Sequence, residues 1–463
     1  MSKSGTSAPG IELPIALDRG RGSIRRQLEN ALRAAIRDGT LPGGTALPSS
    51  RVLAGDLGVS RRLVVETYAQ LTAEGYLVTA PRARTCVSEL AAAPAATAPR
   101  ATASAPLYDL RPGTPDLGGF PRSAWRRAHA AILRDAPDDV LRYPDPRGAP
   151  ELRTAVAEYL RRVRAVVCDG DRVVICSGVR EAISILAGVL ADAIGVEDPG
   201  PHERGEILTA AGSRPHALPV DGRGLCTDGL VDASLAAVLV TPAHQFPTGV
   251  ALAAERRGEL TAWASHGRLV IEDDYDAEFR YDRTPLSALQ GLAPEHVAYV
   301  GSVSKTLSPA LRLGWLVLPA WLVEPCVEAK RLRDGGTPTL PQLALGHLIS
   351  SGEYDRHLRR ARRRYRARRD ALLRAIRRHL PAAQVTGMSA GLHVLVTLPS
   401  DVDMRALDDA AGRRRLTIAA VGQFRLAPRT DDHALVIGYA TLSDAGADHA
   451  MRLLAEAIVD ATG

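Results

Sequence analysis

Apolar residues recur at every fourth position from Ser23 to Asp38, where Ile24, Leu28, Leu32 and Ile36 form one stripe. That period predicts an amphipathic helix. Gly39, Pro42, Gly43 and Gly44 then break it. Ser49 stands where it caps a short second helix carrying Val52, Leu53 and Leu57, and Gly58 ends that helix. Ser60 is placed to cap a third, which runs to about Glu74 with Val64, Tyr68 and Leu71 facing inward. Gly75 stops it. Tyr76–Thr79 and Thr85–Ser88 read as short strands around Pro81-Arg82-Ala83-Arg84. Three helices followed by a two-stranded ribbon predict a winged helix-turn-helix.

Farther along, the pattern changes. Short apolar runs at Arg172–Cys176, Ala236–Thr241, Arg268–Glu272 and Ala298–Gly301 read as strands. Helical stretches such as Glu181–Ala191 and Ala254–Ser265 lie between them. This alternation predicts an α/β body with a mostly parallel sheet and helices on both faces. Between head and body, residues 91–107 are rich in Ala and Pro, with one charge. Such a stretch is a semi-extended linker, reaching about 50 Å at roughly 3 Å per residue. The expected division is therefore a head over 13–90, a linker over 91–107 and a body over 108–463.

Composition narrows the class. A chain of 463 residues is too long for one ordinary core. Hydrophobic residues at 46% and charged residues at 24% describe a soluble globular protein. No apolar run reaches the roughly 20 residues that span a bilayer, and the first residues lack a secretory pattern. Five scattered cysteines without a CxxC pair argue for reduced thiols and against a disulfide frame or zinc site. The expected location is the cytoplasm. A net charge of +6 is compatible with a polyanionic partner.

The chemistry of the head fits double-stranded DNA. From Met1 to Leu90 there are 12 Lys or Arg against 8 Asp or Glu. Ser49 and Arg51 lie at the start of the second helix, and Ser60, Arg61 and Arg62 open the third. Donors there approach phosphates or base edges in the major groove. Arg82 and Arg84 sit at the ribbon turn, where an arginine reaches a minor groove. The bland alternative is a solvated helical domain. Leu47-Pro48-Ser49-Ser50-Arg51-Val52-Leu53-Ala54, Leu57-Gly58-Val59-Ser60-Arg61, Tyr68-Ala69-Gln70-Leu71 and Ala73-Glu74-Gly75-Tyr76-Leu77 closely resemble the GntR family of bacterial repressors. Where that family often has a glycine pair at the wing, this chain has Ala83 and Arg84.

In the body, lysine is the telling residue. Only Lys3, Lys305 and Lys330 occur among 58 Lys and Arg. Lysine forms imines and arginine does not. Lys305 lies in Gly301-Ser302-Val303-Ser304-Lys305-Thr306, with Pro309, Arg312 and Gly314 following, and looks like an attachment site for pyridoxal 5'-phosphate. Ser302, Ser304 and Arg312 are placed to bind a phosphate. Gly178, Val179 and Arg180 open a helix after a strand, where backbone N–H groups meet an anion. Asp273 and Tyr275 end another strand. They suit a pyridine nitrogen and a phenolic oxygen, though a metal site or a helix cap would also use such aspartates.

Together with Pro247-Thr248-Gly249, this ordered set resembles fold-type I, class I aminotransferases over residues 108–460. The resemblance implies Lys305 as the imine lysine, Asp273 at the ring nitrogen and Tyr275 at the phenolic oxygen. It implies Ser302, Ser304 and Arg312 at the phosphate, with Tyr143 reaching a phosphate across a dimer interface. A GntR-like head joined to such a body resembles the MocR-type transcriptional regulators. That implies a head-to-tail homodimer, operator DNA as partner and pyridoxal phosphate as effector or co-effector.

Three departures bear on function. Phe246 replaces the asparagine usual before Pro-Thr-Gly in aminotransferases, leaving Gln245 or His244 to supply its hydrogen bond. Pro201 replaces a ring-stacking tyrosine, leaving His202 for that role. Val436 stands where amino-acid-processing enzymes and the GABA-sensing regulator have a carboxylate-binding arginine, with Arg425 or Arg429 as substitutes. The expectation is a sensor whose ligand is pyridoxal phosphate itself, as in regulators of vitamin B6 synthesis, not an enzyme. The alternatives are an active aminotransferase with a vestigial head, or a regulator that has lost the cofactor. The arginine-rich run from Arg356 to Arg378 reads mainly as a solvated helix, with DNA contact as the second reading.

Overall fold

The computed structural model describes residues 17–20, 22–79, 84–89, 105–230, 234–282, 286–426, 429 and 432–462. The chain divides into two compact units, Met1–Ser104 and Ala105–Gly463, and each is described by itself.

In the head, α1 (Ile24–Arg37), α2 (Ser50–Leu57) and α3 (Arg61–Ala73) precede the antiparallel pair β1 (Leu77–Thr79) and β2 (Thr85–Val87). The serine caps act as their sequence positions predict. Ser49 Oγ accepts from Val52 N–H and Ser60 Oγ from Leu63 N–H, satisfying donors a helix start leaves free. Gly58 ends α2 at φ +63, a left-handed conformation that favours glycine. Leu28, Leu32, Ile36, Leu53, Val64, Leu71, Leu77 and Val87 form one buried core, each apolar side chain contributing about 1.5–3 kcal/mol. Val52 departs from the apolar pattern: it is exposed, because two-turn α2 buries only Leu53 and Ala54. Arg82 and Ala83 of the wing turn lie outside the described residues.

The body opens with β3 (Tyr108–Asp109), α4 (Arg122–Asp135) and α5 (Pro150–Arg164). There follow β4 (Val173–Cys176), α6 (Val179–Leu190), β5 (Ala193–Asp198), α7 (Glu203–Ala210), β6 (Arg214–Asp221) and β7 (Gly224–Leu225). Next come β8 (Ala237–Val240), α8 (Ala254–Ala264), β9 (Leu269–Asp274), β10 (Val297–Ser302) and β11 (Gly314–Val317). The C-terminal part holds α9 (Ala320–Asp334), α10 (Thr339–Ser350), α11 (Glu353–His379), β12 (Gln384–Thr386), β13 (His393–Thr397) and α12 (Met404–Arg413). It ends with β14 (Leu416–Thr417), β15 (Ala434–Gly438) and α13 (Asp444–Ala461).

The main sheet runs β4-β11-β10-β9-β8-β5-β6-β7. β10, β9, β8, β5 and β6 pair in parallel. β11 is antiparallel to both its neighbours, as β7 is to β6. The mostly parallel sheet read from the alternation is therefore present. Strands β4, β8, β9 and β10 are buried along their whole length, which is why they read as unbroken apolar runs. A smaller antiparallel sheet, β12-β13-β15, packs on the C-terminal helices. β3 pairs in parallel with β14, and this seats residues 109–114 beside the C-terminal part.

Candidate functional site

β9 shows how one strand serves both core and site. Successive side chains point to opposite faces, so Glu272 and Asp274 part from Asp273 and Tyr275. Glu272 accepts from the Leu289 and Gln290 backbone N–H groups at 2.9 Å, and burial pushes its carboxyl up to about 7. Asp274 accepts from Arg164 Nε at 2.7 Å and from the Tyr299 hydroxyl at 2.6 Å, all deeply buried. These two carboxylates lock the sheet. Asp273 and Tyr275 instead line a cleft of about 620 Å³ beyond the strand ends. Lys305, three residues past β10, lines it too, and its Nζ donates to Gly113 carbonyl oxygen at 2.6 Å. Burial lowers the pKa of Lys305, favouring the neutral amine that an imine requires.

The anion-binding groups converge on one wall. Val179, Arg180, Ser302, Ser304 and Arg312 all line the cleft. Gly178 caps α6 at φ +98, and a Cβ there would lie 3.5 Å from Arg312 Nη1. That distance is an ordinary contact, so it is the left-handed turn that favours glycine here. Ser302 Oγ accepts from Ser304 N–H at 3.4 Å. Arg180 is exposed and pairs loosely with Glu203 at 3.5 Å. A helix N-terminus, two hydroxyls and two guanidiniums together have the chemistry of a phosphate cradle.

Asp273 carries the partner that sequence reasoning missed. Its Oδ2 is bonded by the buried guanidinium of Arg204, while Oδ1 is buried with no hydrogen-bond partner. Arg204 sits in the first turns of α7, just beyond the carboxyl end of β5. That position was the available signal, but 55 arginines dilute it. Tyr275 hydroxyl lies 3.0 Å from His244 Nδ1, which itself lies 3.0 Å from Asp276. Gly391 makes room for that pair: at φ +70, a Cβ there would meet His244 at 2.2 Å and Asp276 at 2.6 Å.

Not every expected group reaches the cleft. Gln245 is buried behind it, its amide donating to Pro199 and Phe246 carbonyls and its oxygen accepting from Thr248. The hydrogen bond expected from Gln245 is corrected on that ground: its amide already serves the Pro199 and Phe246 carbonyls. His202 lines the cleft but is exposed, beside Pro201. Tyr143 is fully exposed, off the cleft of its own chain. Asp273 and Asp274 cap no helix, and no group of three or more side chains suited to a metal ion occurs among the described residues.

The remaining wall is apolar. Phe246 and Phe424 line it, edge to face at 5.0 Å, with Leu392 and His393. Burial drives His393 down to about 3, so it is neutral. Val436 is wholly buried in the small cluster of Val421 and Ala434 on which Phe246 and Phe424 pack. Arg425 is tied to Asp432 through two nitrogens. Arg429 also has a partner.

In the head, Ser49, Arg51, Ser60, Arg61, Arg62 and Arg84 are exposed. Arg62 pairs with Glu66 at 2.8 Å. Within α11, Arg364 and Arg368 bond Asp116, and Arg362 donates to Glu278 carbonyl oxygen. Those arginines have structural work, whereas Arg359, Arg360, Arg363 and Arg366 face solvent. No described helix is long and apolar enough to cross a membrane.

The donor set fits pyridoxal phosphate. A protonated ring nitrogen would satisfy the orphaned Asp273 Oδ1, and the cradle at Gly178, Ser302 and Arg312 suits its phosphate. The comparisons agree. Residues 109–454 match the family model of aminotransferase class I and II, and residues 24–87 that of bacterial regulatory proteins, gntR family. The pyridoxine biosynthesis transcriptional regulator PdxR of Corynebacterium glutamicum is 33% identical, covering 89% of this chain and 91% of its own. The probable rhizopine catabolism regulatory protein MocR of Rhizobium meliloti is 35% identical, covering 79% and 80%. The body is similar to Thermus thermophilus LysN, an α-aminoadipate aminotransferase solved with N-(5'-phosphopyridoxyl)-L-leucine. That match has 27% identity and a TM-score of 0.69, over 76% of this chain and 92% of that one. With a gntR-type head and an aminotransferase-type body in one chain, this protein belongs to the MocR-type helix-turn-helix transcriptional regulators.

Proposed function

We propose that the protein is a DNA-binding regulator that holds pyridoxal phosphate on Lys305 as its effector or co-effector, and that it controls vitamin B6 metabolism. The observation that carries this reading is the meeting, in one cleft, of Lys305, Asp273 and the phosphate cradle. Lys305 would anchor the aldehyde carbon, Asp273 the ring nitrogen and Tyr275 the phenolic oxygen. Ser302, Ser304, Arg312 and the α6 N-terminus would hold the phosphate. The cofactor, when bound, supplies an electrophilic carbon and an electron-withdrawing ring. Tyr143, on an exposed segment, would complete the phosphate site of the partner in a head-to-tail dimer.

The same cleft supports regulation over transamination. The apolar wall of Phe246, Phe424 and Leu392, with Val436 behind it, offers no cation to a substrate carboxylate. A bidentate arginine is much of how such enzymes hold an amino acid. Arg51 and Arg61 open α2 and α3 on the head, and no carboxylate is bonded to either among the described residues. The test is retardation of DNA from upstream of the chain's own gene at low salt. Retention should weaken in Arg61→Ala, with a salt slope lower by about one. Failure of the wild type to retard that DNA contradicts the reading.

A further inference from the structure

Behind Tyr275 lies a buried pair that the cleft itself does not use. His244 and Asp276 are 4% and 2% exposed, and neither lines the cleft. His244 Nδ1 lies 3.1 and 3.0 Å from the two Asp276 oxygens and 3.0 Å from the Tyr275 hydroxyl. An ionised carboxylate only accepts hydrogen bonds, so the nitrogen that faces it carries the hydrogen. The Tyr275 oxygen shares that N–H and therefore accepts. Its own hydrogen is left to point away from His244, and Tyr275 lines the cleft. The pair is also held from behind. Tyr281 and Tyr439 both donate to the Gly391 carbonyl at 2.5 Å, and Gly391 packs against His244 and Asp276.

We propose that the His244–Asp276 pair fixes the direction of the Tyr275 hydroxyl, so that it donates to the phenolic oxygen of the bound cofactor and does not turn back into the protein. This rests on the reading of the cleft as a pyridoxal phosphate site. His244 and Asp276 are positioning residues, because they touch Tyr275 and not the ligand. A hydrogen bond donated to an oxygen favours its charged form. The phenolic oxygen then holds the proton it shares with the Lys305 nitrogen less tightly. The other charged or titratable groups that face Tyr275 are Asp273, Arg204 and Glu197. Asp273, Asp276 and Glu203 face Lys305, and a neutral His393 faces His244. Among the described residues, His244 alone is hydrogen-bonded to the Tyr275 hydroxyl.

The test is the pH midpoint of the absorbance near the visible edge, measured on the full chain loaded with pyridoxal phosphate. Tyr275→Phe removes the donor and should raise the midpoint by about one pH unit, a tenfold gain in proton affinity. His244→Phe should raise it comparably by itself and add nothing to Tyr275→Phe. His244→Asn, whose amide puts an N–H near the place of Nδ1, should return it toward the wild-type value. A midpoint that His244→Phe leaves unmoved, or moves equally with and without the Tyr275 hydroxyl, overturns the proposal alone. Should His244→Phe fail to fold, nitrogen-15 NMR of the histidine-labelled, loaded wild type decides, with the signal lost in His244→Asn marking the residue. A protonated Nδ1 supports the proposal and a bare Nδ1 overturns it. A wild type that takes up no cofactor overturns the reading of the cleft and the proposal with it.

Discussion

On one side of the cleft, Lys305, Asp273, Tyr275, Ser302 and Arg312 gather charge and hydroxyls from the ends of β9 and β10 and the loops beyond them. On the other side, Phe246, Phe424, Leu392 and a neutral His393 present rings and methyls, with Val436 buried beneath. The first wall stands at the ends of β9 and β10 and the second on loops beside β8, β13 and β15, but the difference that matters is chemical. It lies in which groups are left to meet a ligand. A phosphate and a ring nitrogen find partners; a carboxylate would lose its hydration against the second wall with nothing in return. The lesson is that an aminotransferase-type body keeps groups that suit a cofactor while its second wall, at Phe246, Phe424 and Leu392, carries no cation for a carboxylate.

The largest expected effect bears on the charged wall. Lys305→Ala should abolish an imine absorbance near the visible edge altogether; a persisting band would place the attachment elsewhere. Asp273→Asn should come next. It leaves Arg204 buried without its carboxylate, which costs about 3–5 kcal/mol, read as a lowered urea midpoint along with weakened cofactor uptake. An unchanged midpoint would mean that the pair carries little.

The apolar wall gives the next two effects. Burial holds the folded-state pKa of His393 at about 3, below the ordinary 6.5. The unfolded chain therefore binds the extra proton first, and stability present above about pH 6.5 is lost as pH falls. The loss should be about 2 kcal/mol by about pH 5. His393→Gln should flatten that part of the profile in urea titrations at several pH values, and an unflattened profile would contradict a neutral buried imidazole. The smallest effect is a near-absence. A broad panel of α-amino acids should change the spectrum of the loaded protein by less than about twofold in any band. Ready conversion of the cofactor to its amine form would erase the contrast between the walls.

Much of the head was legible because its signals are local. Ser49 and Ser60 cap helices whose first turns follow directly, and Gly58 ends one where a left-handed residue is needed. The charged wall was legible for a related reason: Lys305 and Gly178 each follow a buried strand that reads as an apolar run, and Asp273 lies at the end of another. What stayed hidden joins distant positions. Lys305 meets Gly113 across 192 residues, and Arg204 meets Asp273 across 69. No period reports such pairs. Gln245 misled for the same reason, since its amide is taken by the Pro199 carbonyl, 46 residues away, as well as by neighbouring Phe246. β11 and β6 also escaped the pattern, the first as an antiparallel strand inside a parallel sheet, the second because only Leu218 among its side chains is buried.

The central claim is that the cofactor on Lys305 is read out at the DNA. It is tested most directly by measuring affinity for the upstream DNA with and without pyridoxal phosphate, in the wild type and in Lys305→Ala, at one fixed salt concentration. The account predicts a change of at least about fivefold in the wild type and none in Lys305→Ala. Equal affinities with and without cofactor in the wild type, or the same change in both proteins, would contradict it.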